Sequence, residues 1–362
     1  MPLAILMRRR GGVAPPCRCN RTGQATIRAA VAATVVLAAG TAAAQQPQRD
    51  TLDVVLKRGA VVCGVATAGV GLSIPDSQGV WRGVDADYCR AIAAAALGSP
   101  DKLRFVPTTT QQRFTALQSG EVDVLARATT WTYSRDVTVG LSFAAINLYD
   151  GQGFMVKASL GVKSAKELDG ATICLLPGTT SEQNVTDYFR ANNIKFQPVV
   201  IEAAAEIQSA FLSGRCDVYS NDRTDLVGIR SAQGPRAADL VILPETISKE
   251  PLSPLVRKND ARWFDLVRWT HFALVAAEEL GVTQANVEAM RASPNPEIRR
   301  LLGVEGDFGK QLGVDNAWVV SIIKAVGNYG EVWDRNQKPL GVDRGLNRLW
   351  RDGGLQYVPP FR

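Results

Sequence analysis

Four side chains in this sequence carry the chemistry to hold both ends of a zwitterion. Arg135 has a planar guanidinium that stays cationic and forks onto a carboxylate. The hydroxyls of Thr130 and Thr180 add donors beside it, and Asp222 offers a carboxylate to an ammonium group. They lie in three short segments, Ala128 to Arg135, Gly178-Thr179-Thr180 and Asn221-Asp222. Taken together, the opposed charges describe a clamp for a free amino acid. Taken singly, each residue has a plainer use: Thr179 and Thr180 as a helix cap, Asp222 as the cap of the helix toward Arg230, Arg135 as a solvated helix residue. A helix starting at Gly178-Thr179-Thr180 would also aim free backbone N–H groups and a positive dipole end at an anion. Arg127 could face a ligand side chain and favour acidic or amide amino acids, or lie on the surface. Ser73, Trp81, Trp131 and Tyr149 are further candidates to line a pocket.

These residues matter because of the elements that position them. Apolar runs and helix-stopping glycines predict strand 61–65, helix 84–97, strand 104–107, helix 111–119 and strand 122–126. The same order returns as strand 172–176, helix 181–191, strand 196–201, helix 204–213 and strand 216–220. The string from Ala116 to Val124 matches that from Ala210 to Val218 at five of nine positions, with Gly214 in the part of Gly120. Two similar α/β lobes with mainly parallel sheets follow. Small ligands sit outside the carboxyl ends of strands in such sheets, and Thr130, Thr180 and Asp222 each follow a strand end. Thr130 and Arg135 belong to the first lobe, Thr180 and Asp222 to the second, so the lobes would close over one ligand. The chain crosses between lobes twice, over 143–155 and 243–248. The expected division is lobe 1 at 45–148 and 249–362 and lobe 2 at 149–248. Past Pro251 the chain returns to lobe 1 with strand 254–257, a long helix 261–280 and shorter helices near 296–302 and 316–326.

Residues 1–44 hold six arginines and no Asp, Glu or Lys, followed by an apolar run to Gly40 and Ala42-Ala43-Ala44. This reads as a secretory signal cleaved before Gln45, with an apolar run too short to span a bilayer. Without those six arginines, 35 basic residues face 35 acidic ones, so bulk charge points to neither nucleic acid nor anionic lipid. Four cysteines remain in the exported part: Cys63, Cys89, Cys174 and Cys216. They allow three pairings or none. The lobe division groups Cys63 with Cys89 and Cys174 with Cys216.

Catalytic chemistry is poorly supplied. The only histidine, His271, sits among Trp263, Phe264, Val267 and Phe272 in a helical pattern and reads as a half-buried packing residue. No nucleophile pattern accompanies it, and no His/Cys spacing suits a metal. Gly309-Lys310 fails as a phosphate loop because Val304 replaces the first glycine and Gln311 the hydroxyl. Asp85 and Asp87 could be imagined as paired acids, but at a helix start they are expected to cap it and complement its dipole. No cofactor is expected.

Asp123-Val124-Leu125 through Thr130-Trp131-Thr132 to Arg135-Asp136 resembles the carboxylate-binding segment of the periplasmic amino-acid-binding proteins of ABC importers. Gly178-Thr179-Thr180-Ser181-Glu182 resembles their second-lobe helix start, and Gly214 to Asp222 the segment ending in an amine-binding aspartate. Gly83 to Arg90, Asp150 to Phe154 and Gly327 to Val332 are similar as well, so the likeness runs from about residue 50 to the C-terminus. It is strongest for the general L-amino-acid branch of the polar amino-acid class, solute-binding protein family 3. Ala128 departs from the pattern, standing where many smaller members carry a serine. The resemblance implies a two-lobed, type II-like periplasmic binding protein with two parallel or mixed sheets joined by a two-strand hinge. It further implies a monomeric, non-enzymatic periplasmic protein that hands free L-amino acids to a membrane permease driven by a separate ATPase subunit. A dehydratase- or lyase-like enzyme on the same fold, or the ligand-binding module of a sensor, are the alternatives.

Overall fold

The computed structural model describes residues 50–362, and the export signal read over 1–44 lies outside them. Two five-stranded sheets carry the two lobes. Strand order in the first is Leu103–Thr108, Val61–Ala66, Val124–Leu125, Leu255–Arg257, Leu141–Phe143. In the second it is Phe196–Val200, Ala171–Leu175, Val218–Asp222, Gln152–Lys157, Leu240–Ile242. In both, the first three strands are parallel and the last two add antiparallel. The repeat seen in the sequence is therefore a repeat of topology, with each sheet mixed rather than wholly parallel.

The shared string has a physical cause. Gly120 and Gly214 both end a helix in the left-handed region, with φ of 82° and 87°, which a side chain would oppose. Three residues on, Asp123 accepts the Val62 N–H at 2.7 Å and Asp217 accepts the Thr172 N–H at 2.8 Å. Each aspartate ties the entry of its lobe's third strand to the entry of the first. The tie aligns the strands' carboxyl ends, where the site forms.

The larger core belongs to the first lobe, where the helix Val84–Leu97 packs its alanines against Trp318–Val326 and Ala261–Glu279 around fully buried Trp263. In the second lobe, the strand Gln152–Lys157 buries Phe154 and Val156 on one face and Met155 on the other, as a sheet covered on both sides requires. Cys63 bonds Cys89 with Cα atoms 6.0 Å apart, and Cys174 bonds Cys216 at 5.7 Å. Each bridge stays within one lobe. Among the described residues, no helix is long and apolar enough to cross a membrane.

The lobes are joined by two antiparallel strands, Leu148–Asp150 and Glu250–Leu252. The second crossing thus falls later than the expected 243–248. Leu243 and Ile247 still donate their N–H groups to Phe154 and Gln152 of the second sheet, at 2.8 and 2.9 Å. The free edge of Leu148–Asp150 is occupied by Asn347, whose side chain accepts the Tyr149 N–H at 2.7 Å and donates to the Tyr149 carbonyl at 2.9 Å.

Candidate functional site

The carboxyl ends of both strand sets open onto one cleft. The first lobe contributes Arg113, Arg127, Ala128, Thr130 and Arg135, and the second contributes Thr179, Thr180, Asp222 and Asp225. Cations line one wall and carboxylates the other.

On the first wall, Ala128 adopts φ 47°, an uncommon conformation for a residue with a side chain. Its N–H is held by Asp85 at 2.8 Å, and Asp85 also accepts from Asn147 at 3.1 Å. The helix-capping role expected of Asp85 and Asp87 is corrected here, since Gly83 takes the cap position without a side-chain bond. Asp85 instead pins the loop that carries Arg127 and Thr130, and burial pushes its pKa up to about 6. Asp87 pairs with Arg90 and Arg335. Beyond Ala128 the chain binds the hinge: Trp131 donates to the Pro251 carbonyl and Ser253 to that of Thr129.

Arg135 lies in the short helix Tyr133–Thr138, capped by Thr132. Its guanidinium donates to the Thr130 carbonyl at 3.0 Å and to the Gly178 carbonyl of the other lobe at 3.4 Å. Arg113 reaches the same carbonyl at 3.1 Å.

On the second wall, Thr179 caps the helix Thr180–Ala191 by accepting the Glu182 N–H and donates to the Leu176 carbonyl, so its hydroxyl is occupied. The hydroxyls of Thr130 and Thr180 converge from the two lobes, 3.3 Å apart, and both donate to Glu250 of the hinge. Glu250 also accepts from Asn184 at 2.8 Å and from Ser248. Asp222 occupies the cap position of the helix Arg223–Ser231 yet makes no capping bond, and its carboxylate accepts no hydrogen bond among the described residues. Burial, then the charges of Asp150, Glu250 and Asp225, hold its pKa well above the usual carboxylate range. Burial likewise raises Asp225 to about 7 and Asp150 to about 6. A cation entering this wall would relieve both effects at once.

The clamp residues Arg135, Thr130, Thr180 and Asp222 are therefore brought together, with Thr179 and Arg127 beside them. Ser73 and Tyr149 do not line the cleft: Ser73 is buried with its hydroxyl on the Ala66 N–H, and Tyr149 is a hinge residue whose hydroxyl donates to the Leu355 carbonyl. Trp81 stacks on Phe105 and Trp131 on Phe143, away from it. His271 is fully rather than half buried, its Nε2 2.9 Å from Gln356 and its pKa lowered by burial to about 4.

Residues 61–285 match the family of bacterial extracellular solute-binding proteins, family 3. The chain belongs to that family. This solute-binding protein is 54% identical, over 91% of its length and 97% of the relative's, to a glutamate/glutamine/aspartate/asparagine-binding protein of Rhodobacter capsulatus. It is 51% identical, over 90% and 96%, to a general L-amino acid-binding periplasmic protein of Rhizobium johnstonii. An ABC transporter periplasmic binding protein from Brucella ovis, solved with glutathione bound, superimposes with a TM-score of 0.85 at 54% identity, over 87% of this chain and all of that one.

Two cleft residues of the solute-binding protein, Arg113 and Asp225, and the buried hinge residue Glu250 escaped the sequence reading. Arg113 follows the carboxyl end of the strand Leu103–Thr108, so the rule that found Thr130 applied to it equally. Asp225 stands one helical turn after Asp222, a spacing that carries it to the same face. Glu250 sits at the second crossing, and no local pattern marks it.

Proposed function

We propose that this protein captures free L-amino acids outside the cytoplasm and delivers them to an ABC permease. The observation that carries the reading is the pair formed by Arg135 and Asp222, whose carboxylate accepts no hydrogen bond among the described residues, offered from opposite lobes to one cleft. An α-carboxylate suits Arg135, which has donors to spare after its two carbonyl bonds, and an α-ammonium suits Asp222. The ammonium's charge favours the ionised Asp222 that burial otherwise opposes. The ligands of the similar proteins fit this chemistry: acidic and amide amino acids, and glutathione, whose γ-glutamyl end carries a free amino and a free carboxyl group.

The protein acts in this reading as a periplasmic monomer released from a signal at residues 1–44, with a separate ATPase subunit powering the permease. Lobe 1 comprises 45–148 and 249–362 and lobe 2 comprises 149–248, moving about the paired hinge strands. The names of the similar proteins favour transport over the alternative of an enzyme on the same fold. Calorimetry with L-glutamine, its α-carboxamide and its N-acetyl form tests the clamp. Both blocked forms should lose most of the affinity, and tight binding of either removes the clamp.

A further inference from the structure

The zwitterion clamp uses one arginine, but three line the cleft. Arg113 is 3% exposed and Arg127 7%, each with a buried Nε that has no hydrogen-bond partner among the described residues. Arg113 spends one N–H on the Gly178 carbonyl, whereas the guanidinium of Arg127 makes no hydrogen bond or ion pair among the described residues. Arg127 feels Asp85 and, less strongly, Asp222, but the first carboxylate is already engaged by the Ala128 N–H and by Asn147, and the second is the one assigned to the ammonium. Burial, then repulsion from Arg127 and Arg135, lowers the pKa of Arg113, so the three cations lie within electrostatic reach of one another.

Clustered, desolvated cations with unused donors are costly unless an anion joins them. An α-carboxylate on Arg135 leaves two guanidiniums unanswered, and the carboxylates of the opposite wall face the ammonium. We propose that Arg113 and Arg127 together hold a second carboxylate, that of the ligand's side chain, so that the cleft prefers dicarboxylic amino acids to their amides. An amide presents one acceptor oxygen and an NH2 group that faces donors unfavourably. A carboxylate presents two acceptors with charge.

The inference rests on the amino-acid reading and is tested by calorimetry of the protein with L-glutamate, L-glutamine, L-aspartate and L-asparagine. The parent should bind each acid at least about 10-fold more tightly than its amide, as one or two added charge-assisted bonds imply. Arg127→Met should weaken glutamate about 30-fold while moving glutamine by less than about threefold, and Arg113→Met should act in the same direction. Arg127→Lys should retain part of the preference through its point charge. Equal affinity of the parent for glutamate and glutamine overturns the second-carboxylate site and leaves the clamp standing. So does an equal loss of both ligands in folded Arg127→Met. Failure of all four ligands to bind overturns the clamp as well.

Discussion

Replacing Arg135 by alanine separates binding from folding, because the structure divides the work of its guanidinium. Of five N–H donors, one serves the Thr130 carbonyl within the same lobe and one the Gly178 carbonyl across the cleft. Three remain for a ligand, enough for a two-pronged grip on a carboxylate. Charge-assisted bonds contribute about 1.5 to 3 kcal/mol each, which sets an upper range of about 3 to 6 kcal/mol for two. Residual solvent at this half-buried position and the remaining backbone donors of the cleft reduce the expected loss to about 2 to 4 kcal/mol, or roughly 30-fold to 1000-fold in Kd. Stability without ligand should fall by only about 1 kcal/mol, since the bond lost within the lobe is a single one to a neutral carbonyl. The assay is a pair of measurements on the same preparation: calorimetric affinity for L-glutamate, and the thermal midpoint without ligand. A variant that binds like the parent would show that Arg135 is not the carboxylate receptor. A variant whose midpoint collapses would show that the residue supports the fold.

Two further outcomes follow from the carboxylates. Because burial raises the pKa of Asp85 and Asp150 to about 6, of Asp225 to about 7 and of Asp222 well above its ordinary value, the folded ligand-free protein binds more protons than the unfolded chain from about pH 4 to 7. Its stability should therefore fall as pH rises through that window, and urea midpoints at pH 5 and 7.5 that coincide or reverse would contradict this. Glu250→Gln should leave the protein folded, because the amide NH2 can still donate to the Thr130 and Thr180 hydroxyls. It should nonetheless lower stability by about 2 kcal/mol through loss of charge assistance in four bonds, as read by denaturant unfolding.

Much of this molecule was legible in its sequence, for identifiable reasons. The strand–helix order survived in part because Gly98, Gly120 and Gly214 stop a helix at a left-handed position in each lobe, a local signal that needs no tertiary context. Asp222 and Arg135 were found because charge at a strand end is itself local. Glu250 could not be found that way. It matters only because hydroxyls 120 and 70 residues away in sequence fold onto it, and it also redirects Thr130 and Thr180 toward the hinge. Asp85 misled for the same reason: its position suggested a cap, while its partner Ala128 lies 43 residues on. The hinge boundary slipped because backbone bonds from Leu243 and Ile247 extend the second sheet beyond where its apolar pattern ends.

The amide of Asn347 has a mechanical role as well as a pairing one. By answering both the N–H and the carbonyl of Tyr149, it stands in for a third strand and leaves that edge of the connecting ribbon with nothing to offer another chain at this residue. It also fastens the C-terminal tail to the ribbon about which the proposed closure turns. Any rotation at Tyr149 has to drag Asn347 along or break two short bonds, so the tail is mechanically a leaf of the joint. Asn347→Ala would keep both lobes' sheets but lose that restraint, and the proposed swing between open and shut should become wider and less directed.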